Sequence, residues 1–194
     1  MKDFIFSPEI IFTDISSIWL FDNNHEGWFH SDSDHHLSMN KHKDKIHIWD
    51  AVSMMHGKIA MTTFRDNLDK ELLLEILEED SLPAANYCYL DGWFLQMDND
   101  PKNTSKLIKD FVYNNVPSVL NWPSKSPGPN PIENVWKVLK QSIRKRPPKS
   151  LDELEDIIHE EWRNFSDEKI MHICETFLNG IDLCIEKNGK RLRY

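Results

Sequence analysis

Long apolar runs are missing from this 194-residue sequence. A membrane-spanning helix needs about 18 or more consecutive apolar residues, and no such stretch occurs. The opening MKDFIFSPEI also lacks the basic segment and the apolar segment of a secretion signal. We therefore expect a soluble intracellular protein with no membrane partner, located in the nucleus if the source is eukaryotic.

Cysteine is scarce as well. The three cysteines, Cys88, Cys174 and Cys184, are odd in number and form no C-x-x-C pair. This pattern does not indicate a disulfide framework or a cysteine metal site, and we expect the thiols to be reduced.

Positive charge is in short supply, with 23 Lys and Arg against 32 Asp and Glu and a net charge of −9. Proteins that merely coat nucleic acid need clustered Lys and Arg to neutralise phosphates, so the balance counts against that class. One local segment differs, because residues 137–149 carry basic residues and no acid. It is either a basic edge beside a site or a solvated helix face. Its basic residues are Lys137, Lys140, Arg144, Lys145, Arg146 and Lys149.

The most informative stretch is residues 121–140, NWPSKSPGPNPIENVWKVLK. Its prolines exclude regular structure up to Pro131, because proline lacks an N–H and fixes φ. A helix is then predicted, with Asn130 as N-cap and Pro131 in the first helical position. The apolar positions that follow at helical spacing predict one buried face: Ile132, Val135, Trp136, Leu139 and Ile143.

Glu133 lies in the first turn of this predicted helix and has two interpretations. It can complete a capping box by reaching back to the Asn130 N–H. Alternatively, the rigid turn fixes a carboxylate where a metal or a reacting group binds. The second interpretation requires partner carboxylates elsewhere in the chain.

Two partners are available at the predicted ends of strands. Asp98 ends the apolar run WFLQMD and Asp14 ends EIIFTD. A carboxylate at the end of a buried strand is positioned by the sheet and still reaches solvent, which suits a metal ligand.

The remaining pattern predicts an α/β domain whose five-stranded mixed sheet is flanked by helices, with additional C-terminal helices. We expect strands at 9–14, 45–53, 58–64, 93–98 and 116–120, and a hairpin formed by 18–21 and 27–30. Helices are predicted from Leu68 to Leu77, ending before Pro83, from Thr104 to Tyr113, from Pro131, from Ser150, and from Ser166 to about Asn188.

Three segments resemble the catalytic blocks of the mariner superfamily of DNA transposases: FTDISSIWLF (12–21), FLQMDNDPKNTSK (94–106) and WPSKSPGPNPIENVWKVLK (122–140). The 34 residues between Asp98 and Glu133 match the branch whose triad ends in Glu, and the likeness covers nearly the whole chain. The resemblance implies one ribonuclease H-like catalytic domain over residues 1–194.

The resemblance also implies a function. Asp14, Asp98 and Glu133 would bind two Mg²⁺ or Mn²⁺ ions, with Asp14 bridging them. The activity would be hydrolysis at transposon ends followed by joining of the 3′-OH to target DNA at a TA step. The partners would be double-stranded DNA, at transposon ends and target, and a second copy of the chain in a homodimeric active complex.

Basic residues near these blocks are candidate DNA contacts: Lys102, Lys106, Lys125, Lys137, Lys140 and Arg144. The chain departs from the family pattern at Ile15, commonly Glu, at Asp50, commonly Gly, and at Asn103, often His. We also expect residues 1–194 to contain no helix-turn-helix domain of the kind that family members place ahead of the catalytic domain. Two alternatives stay open: a catalytically silent DNA-binding or interaction module, and a ribonuclease H-like nuclease that cuts RNA–DNA hybrids.

Overall fold

Five strands form one mixed sheet in the computed structural model, which describes residues 8–20, 44–120 and 130–186. The strands are β1 (Ile10–Trp19), β2 (Lys45–Ser53), β3 (Gly57–Phe64), β4 (Phe94–Gln96) and β5 (Ser118–Val119). Their order is β3-β2-β1-β4-β5. The pairs β1–β2 and β2–β3 are antiparallel, and β1–β4 and β4–β5 are parallel. The predicted mixed sheet is confirmed.

The first strand is longer than predicted. It continues past Asp14 to Trp19 and pairs with β2 from Ile11 opposite Ser53 to Trp19 opposite Lys45. The expectation that Asp14 ends its strand is therefore wrong, as is a separate strand at 18–21. The strand continues because β2 offers a pairing partner to each of residues 15–19. The predicted partner strand at 27–30 lies outside the described residues.

One face of the sheet is covered by three helices, α1 (Lys70–Glu75), α2 (Leu82–Cys88) and α3 (Lys106–Asn115). A π-helical segment, Ile76–Ser81, joins α1 to α2 without a break. The predicted stop before Pro83 is thus wrong. Pro83 lies in the first turn of α2, where the change of hydrogen-bond register makes its missing N–H harmless.

The opposite face is covered by α4 (Pro131–Ile143), α5 (Leu151–Asn164) and α6 (Asp167–Glu186). The apolar residues of β1 and β2 that pack against these helices are Ile10, Phe12, Ile18, Ile46, Ile48 and Val52. They occupy even-numbered positions on both strands, because side chains alternate between the faces of a sheet. Asp14 and Asp50, which are even-numbered and paired, therefore share the face of α4.

Other predicted boundaries differ by a few residues. The strand expected at 93–98 spans Phe94–Gln96, and the helix expected at 104–113 begins two residues later. The caps at Asn130 and Ser150 are confirmed, since each side chain accepts from a first-turn backbone N–H. Among the described residues, no helix is long and apolar enough to span a membrane. The predicted end of the last helix near Asn188 falls outside the described ranges.

Candidate active site

Asp14 lies in the middle of β1, near the centre of the sheet. Its side chain is partly buried and points to the face covered by α4. Its own carboxylate accepts a hydrogen bond from the Ile15 backbone N–H at 2.7 Å. A central strand is among the most rigid positions that a fold offers, so the backbone of Asp14 is well fixed.

Asp98 follows β4, the parallel neighbour of β1. The register pairs Phe12 with Gln96, so two further residues along both strands bring Asp98 beside Asp14 on the same face. The exposed Asp98 carboxylate accepts from Asn103 Nδ2 at 2.5 Å and from the Asp100 N–H at 3.1 Å. The turn after β4 therefore fixes the position of this carboxylate.

Glu133 lies in the first turn of α4, where the positive end of the helix dipole favours a carboxylate. Its side chain is exposed, and the contacts of the described residues include no hydrogen bond or ion pair of its carboxylate. The backbone N–H of Glu133 instead donates to the Asn130 carbonyl. The side chain is thus not engaged in the capping-box contact that was its alternative role.

Burial and neighbouring negative charges both affect the pKa of Asp14. Burial is the largest cause that raises its pKa, to about 6, and the Ile15 N–H acts in the opposite direction. The negative charges of Asp98, Glu133 and Asp100 each raise it further. The register of β1 with β4 and the position of α4 place Asp14, Asp98 and Glu133 at the same side of the sheet.

The carboxylates of these acids are spread apart and do not form a closed cluster. Within residues 8–20, 44–120 and 130–186, no three His, Cys, Asp or Glu side chains stand close enough together to enclose a metal ion. Mutual repulsion favours such spreading, and Asp98 is held by Asn103 and the Asp100 N–H. The Asp98 and Glu133 side chains are exposed, so both carboxylates are accessible to a cation from solvent.

The donor set fits a hard divalent cation. Asp14, Asp98 and Glu133 provide carboxylate oxygens only, which Mg²⁺ and Mn²⁺ prefer over the nitrogen and sulfur ligands typical of zinc. A cation would also remove the repulsion that raises the pKa of Asp14.

The predicted DNA contacts have different surroundings. Lys140 lies two turns after Glu133 on α4, and its Nζ donates to Ser16 Oγ at 2.6 Å, two residues beyond Asp14 on β1. This contact places Lys140 on the face that carries the acids.

The other basic candidates are less directly connected to the acids. Lys102 pairs with Asp100 at 3.3 Å, and Lys106 pairs with Asp110 on the exposed side of α3. Lys137 and Arg144 are exposed on α4 and at its C-cap. Lys125 lies outside the described residues.

Sequence reasoning missed two contributors. Asn103 entered only as a departure from a family pattern, yet it donates to both the backbone oxygen and the carboxylate of Asp98. Asp100 adds a fourth negative charge near Asp14 and accepts from the Lys102 N–H at 2.9 Å. The signal that could have found them is the D-x-D-x-x-N spacing of residues 98–103, which is typical of Asx-type turns.

Asp50 is a further acid next to the site, directly opposite Asp14 on β2 and fully buried. Its Oδ2 accepts from Trp136 Nε1 at 2.6 Å, and its Oδ1 finds no partner among the described residues. Burial raises the pKa of Asp50 to about 7, although the indole N–H opposes this. The hydrogen bond from Trp136 to Asp50 therefore joins α4 to β2. Because the Asp50 side chain is fully buried, we do not count it among the candidate ligands.

Comparisons with known proteins identify the family. The sequence model of the DDE superfamily endonucleases matches residues 9–155. The Tcb2 transposase of Caenorhabditis briggsae is 28% identical over 127 residues, 66% of this chain and 46% of that protein. The Tc1 transposase of Caenorhabditis elegans is 27% identical over 127 residues, again 66% of this chain and 46% of that protein. The chain therefore spans about half the length of these relatives.

Solved structures agree on the fold. The catalytic domain of Mos1 mariner transposase superposes with a TM-score of 0.74 at 14% identity, covering 99% of this chain and 87% of that one. The Mos1 transposase in a paired-end complex with the left transposon end superposes with a TM-score of 0.76 at 14% identity. The match covers 99% of this chain and 59% of that one. The architecture is thus the ribonuclease H-like one of these domains. By its sequence match, the chain is a member of the DDE superfamily endonucleases.

Proposed function

We propose that this chain is the catalytic domain of a metal-dependent DNA transposase. It would hydrolyse phosphodiester bonds at transposon ends and join the freed 3′-OH to target DNA at a TA step. The observation that carries the proposal is the placement of Asp14 on β1 and of Asp98 just after β4, its parallel neighbour, beside α4, whose first turn carries Glu133. Membership of the DDE endonuclease family and the likeness to the Tc1 and Tcb2 transposases support it.

Asp14, Asp98 and Glu133 would hold two Mg²⁺ or Mn²⁺ ions. When bound, a pair of such ions activates the attacking oxygen and stabilises the leaving oxygen of an in-line displacement. Asp14 would contribute its carboxylate from the central strand, Asp98 from the turn after β4 and Glu133 from the first turn of α4. Mos1 structures with Mn and with Mg support the choice of cation.

The protein itself orients the reaction. Asn103 and the Asp100 N–H fix Asp98, and the α4 helix presents Glu133 from above the sheet. Lys140, whose Nζ donates to Ser16 Oγ, would place a cation on the face of the acids, where it can also contact a DNA phosphate. The remaining basic residues of α4 and its C-cap, Lys137 and Arg144, extend that positive edge and would follow the DNA backbone.

Double-stranded DNA is the partner that this chemistry requires. The Mos1 paired-end complex with a transposon end supports DNA ends as substrate, and a pair of ends suggests two copies of the catalytic domain. We assign cleavage and joining to residues 1–194, which span about half the length of the matched relatives.

The direct test is cleavage of DNA by the purified chain in Mg²⁺ or Mn²⁺. We expect nicking of duplex DNA and strand transfer from a pre-cut end, both abolished in Asp98→Asn and in Glu133→Gln. Asp66→Asn, which removes an exposed charge from the β3–α1 loop, is the matched control and should keep full activity.

Three outcomes would contradict the proposal. DNA binding without metal-dependent cleavage by the wild type would favour the silent binding module. Preferential cutting of RNA–DNA hybrids over duplex DNA would favour a ribonuclease H-like nuclease. Undiminished cleavage by Asp98→Asn would remove the triad from the mechanism.

A further inference from the structure

The side chain of Asn130 touches all three elements that carry the proposed metal ligands. Its Nδ2 donates to the Thr13 carbonyl at 3.1 Å and to Gln96 Oε1 at 3.3 Å. Its Oδ1 accepts from the Ile132 N–H at 3.2 Å. Thr13 immediately precedes Asp14, Gln96 lies two residues before Asp98, and Ile132 immediately precedes Glu133.

The hydrogen-bond partners determine the orientation of the Asn130 side-chain amide. A backbone N–H can only donate and a carbonyl can only accept, so exchanging Oδ1 and Nδ2 would lose both the cap and the bond to Thr13. The partners themselves are buried: Thr13 and Gln96 are each 3% exposed. Thr13 Oγ1 also donates to the Gln96 carbonyl at 2.9 Å, which joins β1 to β4. A satisfied polar network in a dry environment selects one geometry.

Capping alone does not require asparagine. Ser, Thr and Asp cap helix N-termini about as well, because a cap needs only an acceptor. Only an amide supplies an acceptor for α4 and donors for β1 and β4 at the same time. The donors of Asn130 therefore do something beyond capping, which is to dock the first turn of α4 on the two strands.

Docking at this point bears on Glu133, three residues further along the helix. A second contact, which is buried, runs from Trp136 to Asp50 on β2 and lies three residues beyond Glu133. The two contacts bracket Glu133 and leave the helix little freedom to slide or rotate. Metal coordination tolerates errors of only about 0.2 Å in ligand distance, so a small shift of the helix would matter.

We propose that Asn130 is a positioning residue that sets the separation of Glu133 from Asp14 and Asp98 through the two bonds donated by its amide. The inference rests on the proposed function, because it needs these three acids to be metal ligands. It predicts that loss of the donors lowers metal affinity even when the helix cap is kept.

Two variants remove the two amide N–H donors and keep an oxygen that can cap the helix. Asn130→Ser leaves a capping hydroxyl too short to reach both strands. Asn130→Asp has the same shape and an added negative charge, which by itself would attract a cation more strongly. Ser150→Ala is the control for a general loss of helix stability. It deletes the cap of α5, which should lower the free energy of unfolding by about 1 kcal/mol, and it lies far from the acids in sequence.

The readout is direct binding of Mn²⁺, followed by the paramagnetic resonance signal of the free ion, with thermal melting of each variant in parallel. We expect Asn130→Ser to weaken Mn²⁺ binding by about tenfold or more, as loss of contacts that orient metal ligands commonly does. Asn130→Asp should also bind more weakly despite its charge. Ser150→Ala should bind as the wild type does, with a lower melting temperature.

The outcomes separate the inference from the proposed function. Wild-type binding that is lost in Asp98→Asn supports the metal site, and wild-type affinity in Asn130→Ser would then overturn the inference alone. Should Asn130→Ser fail to fold, Asn130→Asp decides, and an affinity equal to or above wild type overturns the inference. A wild-type chain that does not bind Mn²⁺ overturns both.

Discussion

Replacement of Asp50 by Asn should make the protein more stable at neutral and alkaline pH. The carboxyl of Asp50 is fully buried with one hydrogen bond, from Trp136, and burial raises its pKa from 3.8 to about 7. The folded state thus binds a proton that the unfolded state releases between these two pH values. Stability from this group is complete below pH 3.8 and is lost as pH rises through about 7.

The size of the effect follows from the two pKa values. Each pKa unit corresponds to about 1.4 kcal/mol, so the ionised carboxylate costs the folded state about 4 kcal/mol above pH 7. Asparagine mimics the protonated acid, because it is neutral and keeps an acceptor for the Trp136 N–H. The advantage of Asp50→Asn over the wild type should therefore grow by about 3 kcal/mol between pH 5 and pH 8.

Urea unfolding followed by tryptophan fluorescence, in buffers that contain a chelator, measures this difference at each pH. Asp66→Asn is the control, since its exposed carboxyl should give no pH-dependent advantage. A stability difference between wild type and Asp50→Asn that does not change with pH would refute the reasoning, as would a variant that is less stable at pH 8.

Three further predictions follow from particular contacts. Because the pKa of Asp14 in the metal-free protein is about 6, the affinity for Mg²⁺ should rise with pH up to about 6 and then level off. Calorimetry in buffers of different ionisation enthalpy should detect the proton that is released when the ion binds. Lys140→Ala should weaken DNA binding similarly for all sequences and reduce the salt slope by about 1 in a fluorescence titration, whereas Lys70→Ala should not. Gly57→Ala should destabilise the fold by about 2 kcal/mol or more in urea unfolding, because φ is +71° there and an added Cβ would lie 2.6 Å from Asp167 Cβ.

Local signals were sufficient for some elements. The strand over Lys45–Ser53 and the helix from Pro131 were predicted with their observed starts, since alternation, an N-cap and a proline in the first turn are written in adjacent residues. These features depend little on the rest of the chain, which is why pattern reasoning finds them.

Other elements depend on partners far away in sequence. The extension of β1 beyond Asp14 is fixed by pairing with β2, more than twenty residues later. Helical structure continues through Pro83 because a π-helical segment places the proline in a first turn, and a proline in an apolar pattern otherwise indicates an end. Neither outcome is visible in a local window.

In the candidate site, the acids were found from the sequence, whereas the side chains that orient them were not. The three acids were selected from a helix first turn, from the ends of two apolar runs and then from a family resemblance, and their spacing along the chain gives no distance between them. The amide bonds of Asn130 and Asn103, and the burial of Asp50 against Trp136, arise only when the strands and α4 are packed together. Side chains that orient a site are therefore harder to predict than the ligands themselves.

The central claim is that Asp14, Asp98 and Glu133 share one cation-binding region. Crystals of the chain soaked in Mn²⁺ test it most directly, through the anomalous signal of the ion. We expect one or two ions with carboxylate oxygens of all three residues at about 2.0–2.2 Å. An ion bound elsewhere, or a Glu133 carboxylate that remains more than about 10 Å from the ions bound by the aspartates, would contradict the account, since paired metals lie only about 4 Å apart.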